Sequence, residues 1–113
     1  MNQRQRLLVV DDSADTRANL SGYLDRIGYR ARFASSGEQA LAMLRDGLET
    51  DAVVYDEAIQ PAMRGGAFVQ QLRSDGNATP VLLMSKPFQL LDFGDTLLRM
   101  FADRSRGGRS IAP

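Results

Sequence analysis

The sequence predicts an α/β fold in which helices cover both faces of a doubly wound parallel sheet. Short, continuous apolar runs, typical of strands buried on both faces, alternate with segments whose apolar residues recur at helical spacing. This strand and helix alternation repeats along the chain, as in folds built from βα units. Several apolar runs end in aspartate. Because such folds bind ligands beyond the carboxyl ends of their strands, these aspartates are candidate site residues.

Four strands are predicted, at residues 7–10, 30–34, 52–56 and 80–85. The first, third and fourth are rich in Val and Leu, as expected for strands inside a parallel sheet.

Helical periodicity follows each strand. The first helix begins after a cap at Ser13 and ends at Gly28, and the second opens at residues 36–38. A short third helix follows a loop at residues 61–66, which includes Gly65 and Gly66, and a fourth covers 87–104. The apolar residues that define the first three helices are Leu20, Leu24, Ile27, Ala40, Leu41, Leu44, Leu48, Phe68, Val69 and Leu72.

Composition limits the possible functions. The 113 residues suffice for one domain, predicted at 1–105, followed by a disordered tail at 106–113. The net charge is zero, so no nucleic-acid binding is expected. Neither cysteine nor histidine occurs, which excludes thiolate and imidazole chemistry and a phosphohistidine on this chain. No apolar run is long enough to cross a membrane, and the cytoplasm is the expected location.

Charged and hydroxyl side chains collect at the predicted strand ends. They are Asp11, Asp12, Asp56, Ser85 and Lys86, which is the only lysine of the chain. Clustered carboxylates form a hard oxygen site that suits Mg²⁺, and a lysine beside them suits a phosphoryl group. Taken singly, each of these residues has an ordinary alternative as a solvated or capping side chain. Their common position at the strand ends favours a metal and phosphoryl site.

Five segments resemble, in order, the receiver domain of bacterial two-component response regulators. They are residues 7–12, 36–41, 51–56, 61–65 and 85–88, so the resemblance covers nearly the whole chain. It implies a flavodoxin-like receiver, here shortened to about four strands in the order 2-1-3-4.

The resemblance also implies a role for each site residue. These roles are phosphoacceptor for Asp56, direct magnesium ligand for Asp12, ligand through water for Asp11, ligand through its carbonyl for Ala58, and contacts to the phosphoryl oxygens for Ser85 and Lys86. The protein would be a stand-alone signalling protein rather than an enzyme. It would receive its phosphoryl group from a histidine kinase or a histidine phosphotransfer protein and act on a further protein.

The chain departs from the family pattern in two places. About twenty residues, covering the fourth helix and fifth strand, usually separate the hydroxyl residue from the lysine, whereas Ser85 and Lys86 are adjacent here. The aromatic switch residue of the fifth strand is lost with them. The second departure is one extra residue between Asp56 and Pro61, which would place Glu57 in the phosphoacceptor register if counted from Pro61; counting from the buried strand favours Asp56.

The shortened segment raises two further expectations. Loss of the fifth strand would expose the apolar fourth strand, and the last helix has an apolar arc of roughly 200°, wider than one core face requires. A homodimer through the fourth strand, the last helix or both is therefore expected, unless the chain folds over the gap. A phosphorylation-independent interaction module is the alternative function, and a metal-dependent phosphohydrolase is a third possibility with no acid or base residue to support it.

Overall fold

Four parallel strands form the sheet of the computed structural model, which describes residues 4–57, 63–85 and 90–105. The strands are β1 (Arg6–Val10), β2 (Arg30–Ala34), β3 (Ala52–Asp56) and β4 (Val81–Met84). Their order is β2-β1-β3-β4, and each neighbouring pair is parallel. The predicted doubly wound α/β fold and strand order 2-1-3-4 are confirmed. The predicted tail at 106–113 lies outside the described residues.

Four helices connect and follow the strands: α1 (Ala14–Arg26), α2 (Gly37–Arg45), α3 (Gly65–Ser74) and α4 (Leu90–Ser105). Serine side chains cap the first two. The Ser13 hydroxyl accepts a hydrogen bond from the Thr16 N–H, and the Ser36 hydroxyl accepts one from the Gln39 N–H. No helix in the described ranges is both long and apolar enough to cross a bilayer.

The structure corrects several details of the predicted helices. Gly65 and Gly66 are the first two residues of α3 rather than part of the preceding loop. Ile27 follows the end of α1 and is exposed, because the chain turns there into the left-handed Gly28. Leu48 lies beyond α2, although it still packs against the core.

The helices form one layer on each face of the sheet, and each layer covers a separate apolar cluster. On one face, α2 and α3 pack over alternate residues of β1 and β3, with Phe68 and Leu72 fully buried. On the other face, α1 and α4 pack over the remaining alternate residues. This division follows from the two-residue period of a strand, which points successive side chains to opposite faces.

Among the apolar residues of α4 whose side chains the structure describes, most pack inside the domain. Phe93, Leu97 and Phe101 are buried, and Phe101 packs beside the Tyr29 ring with their centroids 5.8 Å apart. Leu98, another large apolar residue of α4, is exposed, with 63% of its surface accessible to solvent.

An ion-pair cluster closes the end of the sheet opposite to the aspartates. The backbone N–H and the guanidinium of Arg6, at the start of β1, both donate to the Asp51 carboxylate just before β3. A further bond goes to Glu49. The side-chain hydrogen bond to Asp51 raises the pKa of Arg6 above its ordinary value most, and the bond to Glu49 adds to this effect.

Candidate functional site

Three carboxylates meet at the carboxyl ends of β1 and β3. Val10 pairs with Tyr55 in the sheet, so the residues that follow them, Asp11 and Asp56, emerge side by side. One carboxylate oxygen from each of Asp11, Asp12 and Asp56 lies within 4.8 Å of the others. Asp11 and Asp56 are buried, with 2% and 5% of their surface exposed, whereas Asp12 is exposed. The cluster therefore has a buried floor and one side open to solvent.

Three hydrogen bonds fix Asp11 at the end of β1. Its N–H donates to the Ala34 carbonyl of β2 at 3.0 Å, and its Oδ1 accepts from the Ser13 N–H at 2.9 Å. The Arg17 guanidinium of α1 donates to the Asp11 carbonyl at 2.8 Å. Together these bonds connect the end of β1 to the start of α1, and they orient the Asp11 carboxylate toward the cluster.

The composition of the cluster fits a hard divalent cation. All of its donor atoms are carboxylate oxygens, which Mg²⁺ and Ca²⁺ prefer over the nitrogen and sulfur ligands of softer metals. Close carboxylates repel one another, and burial adds a desolvation cost for each negative charge. A bound cation would offset both costs, and the exposed Asp12 side offers it a route from solvent.

Tyr55 supports the site from below, one residue before Asp56. Its ring is fully buried and packs against Phe68 with centroids 4.6 Å apart. Its hydroxyl donates to the Met63 carbonyl at 2.5 Å, which links β3 to the segment leading into α3. Burial, followed by the negative charges of Glu38 and Asp56, raises the pKa of Tyr55 to about 12.

Asp56 and Glu57 take different places in the structure. Asp56 lies in the carboxylate cluster, whereas Glu57 is exposed and turned toward β4. The Glu57 N–H donates to the Met84 carbonyl at 2.7 Å, and the Ser85 hydroxyl donates to Glu57 Oε1 at 3.1 Å. The structure thus brings Asp11, Asp12 and Asp56 together and places Ser85 beside Glu57.

Two predicted site residues, Ala58 and Lys86, lie outside the described part of the chain. Conversely, sequence reasoning missed two residues that shape the site, Arg17 and Tyr55. Arg17 carried no signal, since a single arginine in the first turns of a helix is usually solvated. Tyr55 had one: it follows the aliphatic residues Ala52, Val53 and Val54 in a buried strand, and the hydroxyl of a buried tyrosine normally requires a hydrogen-bond partner.

The described geometry agrees with a family match. Residues 7–97 match the model of the response regulator receiver domain, so the chain belongs to this family. Receiver domains are signalling proteins and use Mg²⁺ at an acidic site.

Curated relatives and solved structures give the same assignment. The chain is 33% identical over 91 residues to the probable transcriptional regulator ycf27 of Porphyra purpurea, a match that covers 80% of the chain and 36% of that protein. It is 36% identical over 80 residues to the response regulator MprA of Mycobacterium sp. (strain KMS), which covers 71% of the chain and 34% of that protein. The chain thus spans about a third of the length of these relatives.

The chemotaxis response regulator CheY4 of Vibrio cholerae superposes with a TM-score of 0.75 at 28% identity, over 86% of this chain and 98% of that one. Full-length FixJ from B. japonicum superposes with a TM-score of 0.81 over 96% of this chain and 63% of that one. At 18% identity, FixJ supports the fold alone. The flavodoxin-like receiver fold is therefore that of this chain.

Proposed function

We propose that the chain accepts a phosphoryl group on Asp56 from the phosphohistidine of a partner protein, in the presence of Mg²⁺. One observation carries this proposal: the buried Asp56 carboxylate clusters with Asp11 and Asp12 at the ends of adjacent strands. In a receiver domain, this is where a phosphoacceptor and its metal ligands are needed.

The transfer is a substitution at phosphorus. An oxygen of the ionised Asp56 attacks the phosphorus as the P–N bond to the donor imidazole breaks. The imidazole nitrogen keeps the electron pair and takes up a proton from solvent, and an acyl phosphate remains on Asp56. The chain has to hold Asp56 in line with the donor, and the buried position of Asp56 at the end of β3 restricts its orientation.

Asp11, Asp12 and Asp56 are the described residues that would hold Mg²⁺. When bound, the ion supplies positive charge that reduces repulsion between the carboxylates and an incoming phosphoryl group. The carbonyl of Ala58 remains a predicted ligand, and Lys86 a predicted contact to the phosphoryl oxygens.

Ser85 has a competing partner in the structure. A hydroxyl has one proton to donate, and that proton is directed at Glu57 Oε1. For Ser85 to bind a phosphoryl oxygen on Asp56, its hydroxyl must turn away from Glu57. Phosphorylation would then break the described Ser85 to Glu57 contact, which is a local change that a partner protein could recognise.

The same contact favours a second candidate function. If the Ser85 hydroxyl stays with Glu57, the site has one fewer phosphoryl contact, and the domain acts as an interaction module that needs no phosphorylation. Both functions require protein partners. The interaction module needs a protein to bind, and the phosphoacceptor needs an external phosphohistidine because the chain contains no histidine. We propose a histidine kinase or phosphotransfer protein as the donor and a further protein as the target. The cytoplasmic location and the stand-alone role stay predictions.

Intact-mass spectrometry after incubation with acetyl phosphate tests the first function. We expect one phosphoryl adduct with Mg²⁺, no adduct with a chelator, and no adduct for Asp56→Asn. Glu57→Gln is the matched control, since it changes the neighbouring carboxylate and should keep the adduct. Circular dichroism of each variant establishes that it is folded.

The outcomes separate the two functions. No adduct on the folded, unmodified chain favours the phosphorylation-independent module. An adduct that survives Asp56→Asn and disappears with Glu57→Gln assigns the acceptor to Glu57 and refutes the proposal for Asp56.

A further inference from the structure

The strand β4 forms an uncharged edge of the sheet. It consists of Val81, Leu82, Leu83 and Met84, and it pairs with β3 on one side. Within residues 4–57, 63–85 and 90–105, no strand lies on its other side. Leu83 is 38% exposed, and the other three are partly exposed. An apolar edge of this kind is prone to pair with a further strand.

Hydrogen bonds to β3 show which backbone groups of β4 point away from the sheet. The Val53 N–H donates to the Pro80 carbonyl, and the Glu57 N–H donates to the Met84 carbonyl. Because backbone direction alternates along a strand, Pro80, Leu82 and Met84 face β3. The N–H and C=O groups of Val81 and Leu83 therefore face outward, which gives two donors and two acceptors on the free side.

The opposite edge of the sheet provides an internal comparison. β2 carries Arg30 and Arg32, which are both exposed. In an antiparallel pair of two β2 strands centred on Ala31 or Arg32, arginines would oppose arginines of the other copy, and like charges directly opposite are destabilising. No such repulsion arises for β4, which has no charged residue. Of the two edges, β4 is the one compatible with its own copy.

A groove next to β4 can receive an apolar side chain. It has a volume of about 250 Å³ and lies between β4 and α4, where Leu82 and Phe93 contribute apolar surface and Ser85, Asp92 and Thr96 also line it. In an antiparallel sheet, residues opposite one another point to the same face. If Leu82 lies opposite Leu82 of a second copy, each leucine extends along the groove of the other copy, and Val81 and Leu83 exchange backbone hydrogen bonds with Leu83 and Val81 of that copy.

We propose that β4 pairs antiparallel with β4 of a second copy of this chain, with Leu82 on the two-fold axis. The pairing joins two four-stranded sheets into one of eight strands and satisfies all four outward backbone groups of each β4. It places the two aspartate clusters at opposite ends of the dimer, since the strands run in opposite directions. Both clusters therefore remain accessible to partner proteins.

Light scattering coupled to size-exclusion chromatography tests the pairing without any phosphoryl donor, so the result does not depend on the function proposed for Asp56. We expect the unmodified chain to have twice its 12.5 kDa mass at high concentration and to dissociate on dilution. Leu83→Lys should give a monomer, because its charge would be desolvated at the new strand pair. Leu98→Lys, on the exposed side of α4, should leave the dimer intact.

A disulfide tests the register. The chain has no cysteine, so Leu82→Cys introduces a single thiol. Directly opposed residues of a non-hydrogen-bonded antiparallel pair have Cα atoms about 4.5 Å apart, which is within disulfide reach. Oxidation should therefore link the Leu82→Cys chains into dimers, and should leave Leu98→Cys monomeric on a denaturing gel.

The remaining outcomes contradict the proposal. An unmodified chain that is monomeric at every concentration refutes it. So does a dimer that Leu98→Lys disrupts and folded Leu83→Lys does not, because α4 would then be the interface. A dimer that survives both substitutions, or one in which Leu82→Cys fails to cross-link, also excludes this pairing.

Discussion

Gly37 provides the sharpest test of packing beneath the aspartate cluster. It is the first residue of α2 and is buried, and a Cβ placed there would lie 2.5 Å from the Tyr55 hydroxyl oxygen and 2.9 Å from the Met63 sulfur. Both distances are far below van der Waals contact. Gly37→Ala must therefore displace Tyr55, which is fully buried and bonded to the Met63 carbonyl. We expect a loss of roughly 1–3 kcal/mol in the free energy of unfolding from overpacking, with about 1 kcal/mol more if the hydrogen bond breaks.

Urea denaturation followed by circular dichroism measures this loss, and two controls isolate its cause. Gly66→Ala has open space around its Cβ in the first turn of α3, so it should be neutral or stabilise the fold by up to about 1 kcal/mol. In a Tyr55→Phe background the hydroxyl is absent, and Gly37→Ala should cost about 1 kcal/mol less than in the unmodified chain. An equal cost in both backgrounds would refute the assignment of the clash to the Tyr55 hydroxyl.

Three other predictions concern stability and are measured by the same denaturation. The pKa of Tyr55 is raised from 10.0 to about 12, so the stabilisation that comes from burying its neutral hydroxyl is present in full below pH 10 and is lost as the pH rises toward 12. The unmodified chain should therefore lose more stability over this range than Tyr55→Phe. Parallel pH profiles of the two would contradict this. Ser13→Ala removes the acceptor for the Thr16 N–H and should cost about 1 kcal/mol, with Ser13→Thr as the conservative control. Leu97→Ala should cost about 2–5 kcal/mol because Leu97 is fully buried, whereas Leu98→Ala should change stability by less than about 1 kcal/mol; similar losses for the two would disprove the described orientation of α4.

The strands and their order were predictable because burial on both faces leaves a direct trace in the sequence. Residues 30–34 and 52–56 were predicted with the boundaries that β2 and β3 show. The start of α3 was harder to predict from the sequence. Two adjacent glycines favour loops in isolation, yet Gly65 lies against Leu83, and a Cβ there would be 2.6 Å from the leucine Cδ2. A tertiary contact of this kind, which local propensity cannot register, explains a glycine in the first turn of the helix.

The sequence predicted the carboxylate cluster of the candidate site but not the hydrogen-bond partner of Ser85. The meeting of Asp11, Asp12 and Asp56 follows from parallel strand ends, which any sequence of βα units implies. The partner of Ser85 did not follow, because it depends on the register in which β3 and β4 end, with Asp56 opposite Met84, and on which way Glu57 turns. Side-chain direction at the last residue of a strand is set by neighbours that are distant in sequence.

The position of Tyr55 makes it an intrinsic fluorescence probe of the aspartate cluster. The chain contains no tryptophan and three tyrosines, so its ultraviolet emission comes from tyrosine alone and is not masked. Tyr55 is the residue next to Asp56, is fully buried, and donates a hydrogen bond to the Met63 carbonyl. Substitution of the two other tyrosines by phenylalanine would leave a single fluorophore beside the aspartate cluster. Metal binding and acyl phosphate formation could then be followed in real time without attaching a dye.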